Sequence, residues 1–208
     1  MQSRSRTGFS LVELLTIIAI LSILAAVLLP VFFTVRGKAQ QTACLSNMSQ
    51  IGKGFAQYLQ DYDGFFPYAV DPVDRHGNIW RGEFGTNAPN LPWLHEALQP
   101  YVKSKTLFRC NADTGFEYAD FSAALQNVYP SSFEKYGTSY YYHTALAAVK
   151  ANESRLLTPA QINLMYDGSG IWHGTLFPPA QRYNVLYADY HAKNVSRSQI
   201  DEAWSTAF

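Results

Sequence analysis

The sequence predicts an α+β protein: one long amino-terminal helix, half of it apolar enough to cross a membrane, its outer half packed on an antiparallel sheet with irregular loops. Three observations point this way. Residues 9–35 read FSLVELLTIIAILSILAAVLLPVFFTV and hold a single charge, Glu13. Cys44, Met48, Ile51, Phe55, Tyr58 and Tyr62 then recur at spacings of four, three, four, three and four, which is one stripe of a helix. Finally, the runs from Thr138 to Ala145, Ile162 to Tyr166, Tyr183 to Ala188 and His191 to Val195 read as short strands.

A chain of 208 residues has room for one anchor and one domain of ordinary size. Acidic and basic residues balance at 16 each, so there is no broad basic field and no nucleic-acid partner is expected. A hydrophobic share of 48% is globular rather than disordered. Most of the 14 Tyr, 13 Phe and 4 Trp lie beyond the apolar run, where they suit a core first, and also subunit interfaces or sugar-binding surfaces.

The apolar run spans ~40 Å as a helix against a hydrocarbon core of ~30 Å. A cleaved secretory signal would be shorter and would end in a small-x-small site; here Ala25-Ala26 is followed by more Val, Leu and Phe. Arg4 and Arg6 on one side match Arg36 and Lys38 on the other, so charge bias sets no orientation beyond a slight preference for a cytoplasmic amino terminus. Glu13 discriminates among the readings. A lone carboxylate in an apolar helix costs roughly 2.5–3.5 kcal/mol on insertion scales and marks a function, unless it lies close enough to the helix end to snorkel to the headgroups.

The context Gly8-Phe9-Ser10-Leu11-Val12-Glu13-Leu14 resembles the type IV prepilin motif. The resemblance implies cutting between Gly8 and Phe9 by a prepilin peptidase, methylation of the new amine, and a mature chain with Glu13 as its fifth residue. A neighbouring subunit's terminal amine then meets that carboxylate in an apolar bundle, each charge neutralising the other. It also implies a leader over residues 1–8, a transmembrane and assembly helix over 9–35, its amphipathic continuation over 36–64, and an extracytoplasmic domain over 65–208. Pro30 lies where many such pilins carry a proline, a flexible point in assembly or a tolerated kink.

Three further stretches resemble a bacterial pseudopilin family named for a carboxy-terminal His, nine residues, then Asp-Gly. They are Cys44-Leu-Ser-Asn-Met-Ser-Gln-Ile-Gly52 with Tyr58 to Pro67, then Leu98 to Ser104 with Leu107 to Asp113, and then Tyr183 to Lys193. The third departs from the pattern: fifteen residues separate His173 from Asp189, and Tyr190 stands where glycine belongs. His173 and Asp189 are carried over as equivalents of the family motif, with a turn of another type or greater length expected at Asp189-Tyr190.

Gly52 and Gly54 weaken the helix by ~1 kcal/mol each and suit close packing of another element. Gly64 is expected to end the helix, with Pro67 beyond it. Residues 67–92 read as an irregular loop, residues 93–102 as one short helix, and Ser198-Gln-Ile-Asp201 as a capping box opening a last helical turn. Cys44 and Cys110 are too few for a zinc ribbon. They are expected to pair as a disulfide in an oxidising space, the other reading being two buried thiols. Asp61, Asp63, Asp113, Asp167 and Asp189 offer the oxygens that calcium takes, but without EF-hand spacing; turn and cap roles are expected, no cofactor is assigned, and calcium alone stays open. No nucleophile motif, H-E-x-x-H or glycine-rich phosphate loop is present, so no enzyme is expected.

The function expected is structural: a subunit of a type IV pilus-like or type II secretion pseudopilus filament. Its partners would be the prepilin peptidase/methyltransferase, other pilin-like subunits, the inner-membrane assembly platform and membrane lipid. The chain would sit as a single-pass protein of the bacterial inner membrane with its domain outside the cytoplasm. The rival from another class is a membrane-anchored module that displays a sugar- or peptide-binding domain and never polymerises.

Overall fold

The computed structural model describes residues 10–77, 79–175 and 180–208. One helix, α1, runs from Leu11 to Asp61. The chain forms two compact parts, one ending at Ala39 and one from Gln40 to Phe208.

In the first part, residues 10–39 are exposed throughout. Helix geometry persists here because Leu, Ile and Ala are good or tolerable helix formers and most backbone groups are satisfied within the segment, the exceptions being the first turn and the turn before Pro30. The hydroxyls do the same. Thr16 donates to the Glu13 carbonyl at 2.9 Å, Ser22 to Ile18 at 2.7 Å and Thr34 to Pro30 at 3.0 Å, so none presents an unpaired polar atom.

The second part is built on a sheet of order β3-β4-β5-β6, antiparallel throughout: Tyr140–Tyr142, Asn163–Asp167, Arg182–Tyr187 and Ala192–Ser196. The registers Tyr142↔Met165 and Met165↔Leu186 put these three on one face, and Tyr141↔Tyr166↔Val185 on the other. The first face receives the outer half of α1. The Phe55 and Tyr142 rings lie 6.1 Å apart, and Gly52 faces Leu186 and Tyr190. The second face receives a hairpin, β1 (Phe116–Ala119) and β2 (Ser122–Val128), and the closing helix α7 (Arg197–Ser205). Phe121 at the hairpin tip meets Tyr166 and Tyr183, and Trp204 of α7 meets Tyr166. Covering both faces explains why β3 and β4 are buried at every residue instead of alternating.

Asp120 in the hairpin turn fastens hairpin to sheet. Its carboxylate accepts from Gly170 N at 2.6 Å, Ser169 Oγ at 3.0 Å and the Tyr183 hydroxyl at 3.0 Å. Arg197 stacks over Phe121 at 4.1 Å and completes this corner.

Several expectations need correction. Residues 67–92 are not wholly irregular: they contain α2 (Pro72–Gly77), α3 (Gly82–Asn87) and a 3-10 turn at Ala88–Asn90. The short helix expected over 93–102 is α4, Leu94–Ala97, extended by turns. Two one-turn helices, α5 (Ser132–Tyr136) and α6 (Ala145–Ala148), were not anticipated. Tyr62 falls outside the buried stripe; it is exposed beyond the end of α1 and stacks on Tyr58 at 4.1 Å, while Leu59 is buried in its stead. The capping box of α7 is Ser196 with Gln199, two residues earlier than expected, because Ser196 is the last residue of β6 and turns directly into the helix.

Gly54 marks the tightest approach on α1, where a Cβ would overlap Val102 Cγ2. Gly54→Ala is expected to destabilise the protein by roughly 1–2 kcal/mol, the overlap outweighing the gain in helix propensity. Val102→Ala on that background should recover part of the loss. Denaturant unfolding of the full chain in detergent measures both, and a stabilising Gly54→Ala would contradict this packing.

Candidate functional site

The sequence places its sharpest signal at the start of α1. Gly8 and Phe9 lie outside the described residues. Glu13 is described, and its carboxylate accepts a hydrogen bond from Ser10 N at 2.8 Å, while Ser10 Oγ accepts from Val12 N at 3.3 Å. Ser10 and Glu13 therefore form a reciprocal cap on the first turn, a role that the spacing S-x-x-E encodes and that the sequence reading passed over. The carboxylate stands at the positive end of the helix, where a negative charge is favoured.

From Leu11 to Val35 the large apolar side chains are exposed, seventeen in all among the described residues. At ~1.5 kcal/mol or more for each side chain left in water, this surface demands on the order of 25 kcal/mol of cover from something other than the chain itself. α1 is long and apolar enough to cross a membrane by length and composition. Pro30 sits inside it without ending it.

In the second part, Cys44 on α1 and Cys110, just after the 3-10 turn Lys105–Phe108, are bonded through their sulfurs with Cα atoms 5.1 Å apart. Cys110 N donates to Ser139 Oγ at 3.0 Å, and that hydroxyl donates to Asp113 at 2.7 Å. Beside the sulfurs lies His173, its Nε2 3.2 Å from Cys110 Sγ and 3.7 Å from Asp167 Oδ2. Burial pushes the Asp167 carboxyl well above the usual carboxylate range.

His173 and Asp189 do not share a site. Asp189 lies in the β5–β6 turn and pairs with His191. That turn spans residues 188–190, with Tyr190 N donating to Tyr187 O at 2.8 Å and Tyr190 at φ +70°. The left-handed residue costs roughly 1–2 kcal/mol where glycine would cost nothing. Tyr190 offsets this by packing against Gly52 and donating its hydroxyl to Glu153. The remaining aspartates are dispersed. Asp61 accepts from the Tyr101 hydroxyl at 2.8 Å; Asp113 accepts from Gly115, Ser132, Phe133 and Ser139; Asp63 is a positive-φ turn residue.

A cleft of about 450 Å³ opens between α2, the hairpin and α7, walled by Phe121, Tyr166, Trp204 and Ile79, with Asp71 and Asp74 at its floor. Asp71 accepts from Asp74 N at 2.8 Å, the cap of α2. Burial, reinforced by repulsion from Asp74, pushes the Asp71 carboxyl well up; burial raises Asp74 too.

If the cysteines are bonded in cells, non-reducing peptide mapping recovers one cross-linked Cys44–Cys110 peptide, and Cys110→Ser loses roughly 2–4 kcal/mol in oxidised protein. Alkylation of both thiols without prior reduction contradicts the bond.

The family model described as "Prokaryotic N-terminal methylation motif" matches residues 3–29. No curated protein and no solved structure matches the chain. Residues 3–29, which include Glu13 and its cap, thus carry the amino-terminal signal of a type IV pilin-like or pseudopilin precursor, ahead of a long apolar helix compatible with membrane anchoring.

Proposed function

We propose that this chain is a structural subunit of a type IV pilus-like or type II secretion pseudopilus filament. A prepilin peptidase/methyltransferase cuts it after Gly8, it waits in the bacterial inner membrane with its domain outside the cytoplasm, and it joins other pilin-like subunits on an inner-membrane assembly platform. The observation that carries this reading is a single carboxylate, Glu13, at the head of a helix whose apolar surface is exposed from Leu11 to Val35. A lone anchor needs the apolar surface and gains nothing from the carboxylate. A filament uses both: lipid covers the helix before assembly, neighbouring helices cover it afterwards, and the carboxylate receives a neighbour's terminal amine.

The cap adds a step to this account. Before assembly Glu13 is held by its own Ser10 N–H, so the charge is stabilised while no neighbour is present. In the filament the neighbour's amine supplies a full positive charge, a stronger partner than one amide.

The acid-floored, aromatic-walled cleft favours a second reading, a membrane-anchored module that binds a sugar or peptide and does not polymerise. The two readings separate at Glu13. Glu13→Leu loses both cap and charge, whereas Glu13→Gln keeps an acceptor for Ser10 N–H and loses only the charge. The filament reading expects both variants to be cleaved and membrane-bound yet depleted from filaments by about 100-fold or more, the equivalent of breaking a buried pair at ~3–5 kcal/mol. Normal incorporation of Glu13→Gln contradicts charge pairing, and absence of wild-type subunit from any filament in expressing cells favours the binding module.

A further inference from the structure

Four chain segments that are far apart in sequence bring soft and charged side chains to one buried point. Cys44 comes from α1, Cys110 from the loop after Lys105–Phe108, Asp167 from the end of β4, and His173 from the segment that follows β4. Both sulfurs and a ring nitrogen of His173 lie within 4.8 Å of one another. The cysteines are buried, and the His173 and Asp167 side chains are 1% and 0% exposed.

A disulfide alone accounts for only half of this arrangement. It is neutral and asks for no ionic partner, yet a histidine and a carboxylate are buried against it. Asp167 Oδ2 accepts from Asn184 N at 2.6 Å, and among the described residues Oδ1 has no hydrogen-bond partner. Burying a carboxyl group half-satisfied costs free energy that is met either by protonation or by a cation beside it. The His173 backbone is also held in place tightly. A Cβ on the adjoining Gly174 would run into Ala180 O, Arg182 N and Gly170 O, so only glycine lets the chain double back here.

We propose that, with the two thiols reduced, Cys44, Cys110 and His173 ligate one zinc-class divalent cation, with a carboxylate oxygen of Asp167 as the fourth ligand or as the charge beside it. Two thiolates and an imidazole are a donor set that zinc favours. Bond lengths of ~2.3 Å to sulfur and ~2.0 Å to nitrogen place tetrahedral ligand atoms roughly 3.3–3.8 Å apart. Nε2 is at 3.2 Å from Cys110 Sγ and 3.7 Å from Asp167 Oδ2, close to that spacing; the sulfurs must separate once their bond is opened, and Asp167, which lies outside the cluster of the two sulfurs and His173, must close in to coordinate. Burial of every ligand fits a structural ion taken up with folding, one that ties α1 to the sheet as the disulfide does in the oxidised protein. The two states exclude each other. A phosphine reductant gives two electrons to the S–S bond and becomes its oxide with oxygen from water, the two protons going to the sulfurs; metal binding then releases those protons.

The test uses the full chain in detergent, reduced with a phosphine and titrated with cobalt(II) as a spectroscopic stand-in, then with zinc. The expected result is one cobalt per chain with an intense thiolate-to-cobalt charge-transfer band, displaced by zinc, and both cysteines protected from alkylation. The oxidised protein should show no such band. Asp167→Asn should weaken binding 10–100-fold, as loss of a carboxylate beside a metal site does. His173→Ala should abolish it, while His173→Cys, which restores a third soft ligand, keeps a charge-transfer band even if the alanine variant misfolds. No band in the reduced wild type, an equal band in folded His173→Ala, or no band in folded His173→Cys overturns the proposal.

Discussion

An apolar helix surface that its own chain leaves uncovered is the constraint on which the rest depends. From Leu11 to Val35 the large apolar side chains of α1 are exposed among the described residues, while the same helix beyond Ala39 is buried at Cys44, Met48, Ile51, Phe55, Tyr58 and Leu59. One continuous element thus belongs to two environments. Its first half exposes an apolar surface compatible with a membrane, and its Ser10, Glu13, Thr16, Ser22 and Thr34 side chains bond within the helix. Its second half is an ordinary amphipathic helix whose stability comes from tertiary packing.

The grip of the domain on α1 comes from several small terms. Gly52 and Gly54 give up helix propensity so that Leu186, Tyr190 and Val102 can approach. Gln40 and Asn47 donate to the carbonyls of Asn111 and Arg109 at 3.2 and 3.0 Å, beside the Cys44–Cys110 bond. On the far face of the sheet, Tyr141, Tyr166 and Tyr183 pack together with their neighbours, and Tyr141 and Tyr183 hydrogen-bond as well. Tyr141 bonds Ser132 at 2.9 Å and Tyr183 bonds Asp120, so buried aromatic rings keep their hydroxyls partnered. The high aromatic content of the sequence is thus largely core.

The helix and four sheet strands were legible because their signals are local: an unbroken apolar run, a 3.6-residue stripe, and short β-rich runs between turn residues. What was missed depended on partners distant in sequence or on signals that were too short. The β1–β2 hairpin has weak alternation of its own and is fixed by Asp120 reaching Ser169, Gly170 and Tyr183, some fifty to sixty residues away. The capping role of Glu13 was legible in Ser10-Leu-Val-Glu13 but was overshadowed by the apolar run around it. The motif resemblance that linked His173 and Asp189 carries no information about their surroundings: His173 lies beside Cys110 and Asp167, and Asp189 pairs with its neighbour His191. Tyr190 shows the opposite case. The sequence flagged the missing glycine, and the structure answers with a three-residue turn whose strained residue is held by Gly52 and Glu153.

The proposed filament role hangs on processing, since under that proposal the Phe9 amine exposed by cleavage is the partner of opposite charge that Glu13 meets in a neighbouring subunit. Intact mass and terminal sequencing of protein extracted from membranes of its native host address this directly. The account predicts a mature chain that begins at N-methylated Phe9, with residues 1–8 removed. A chain that retains Met1, or one cut near Ala26 inside the apolar run, would contradict it.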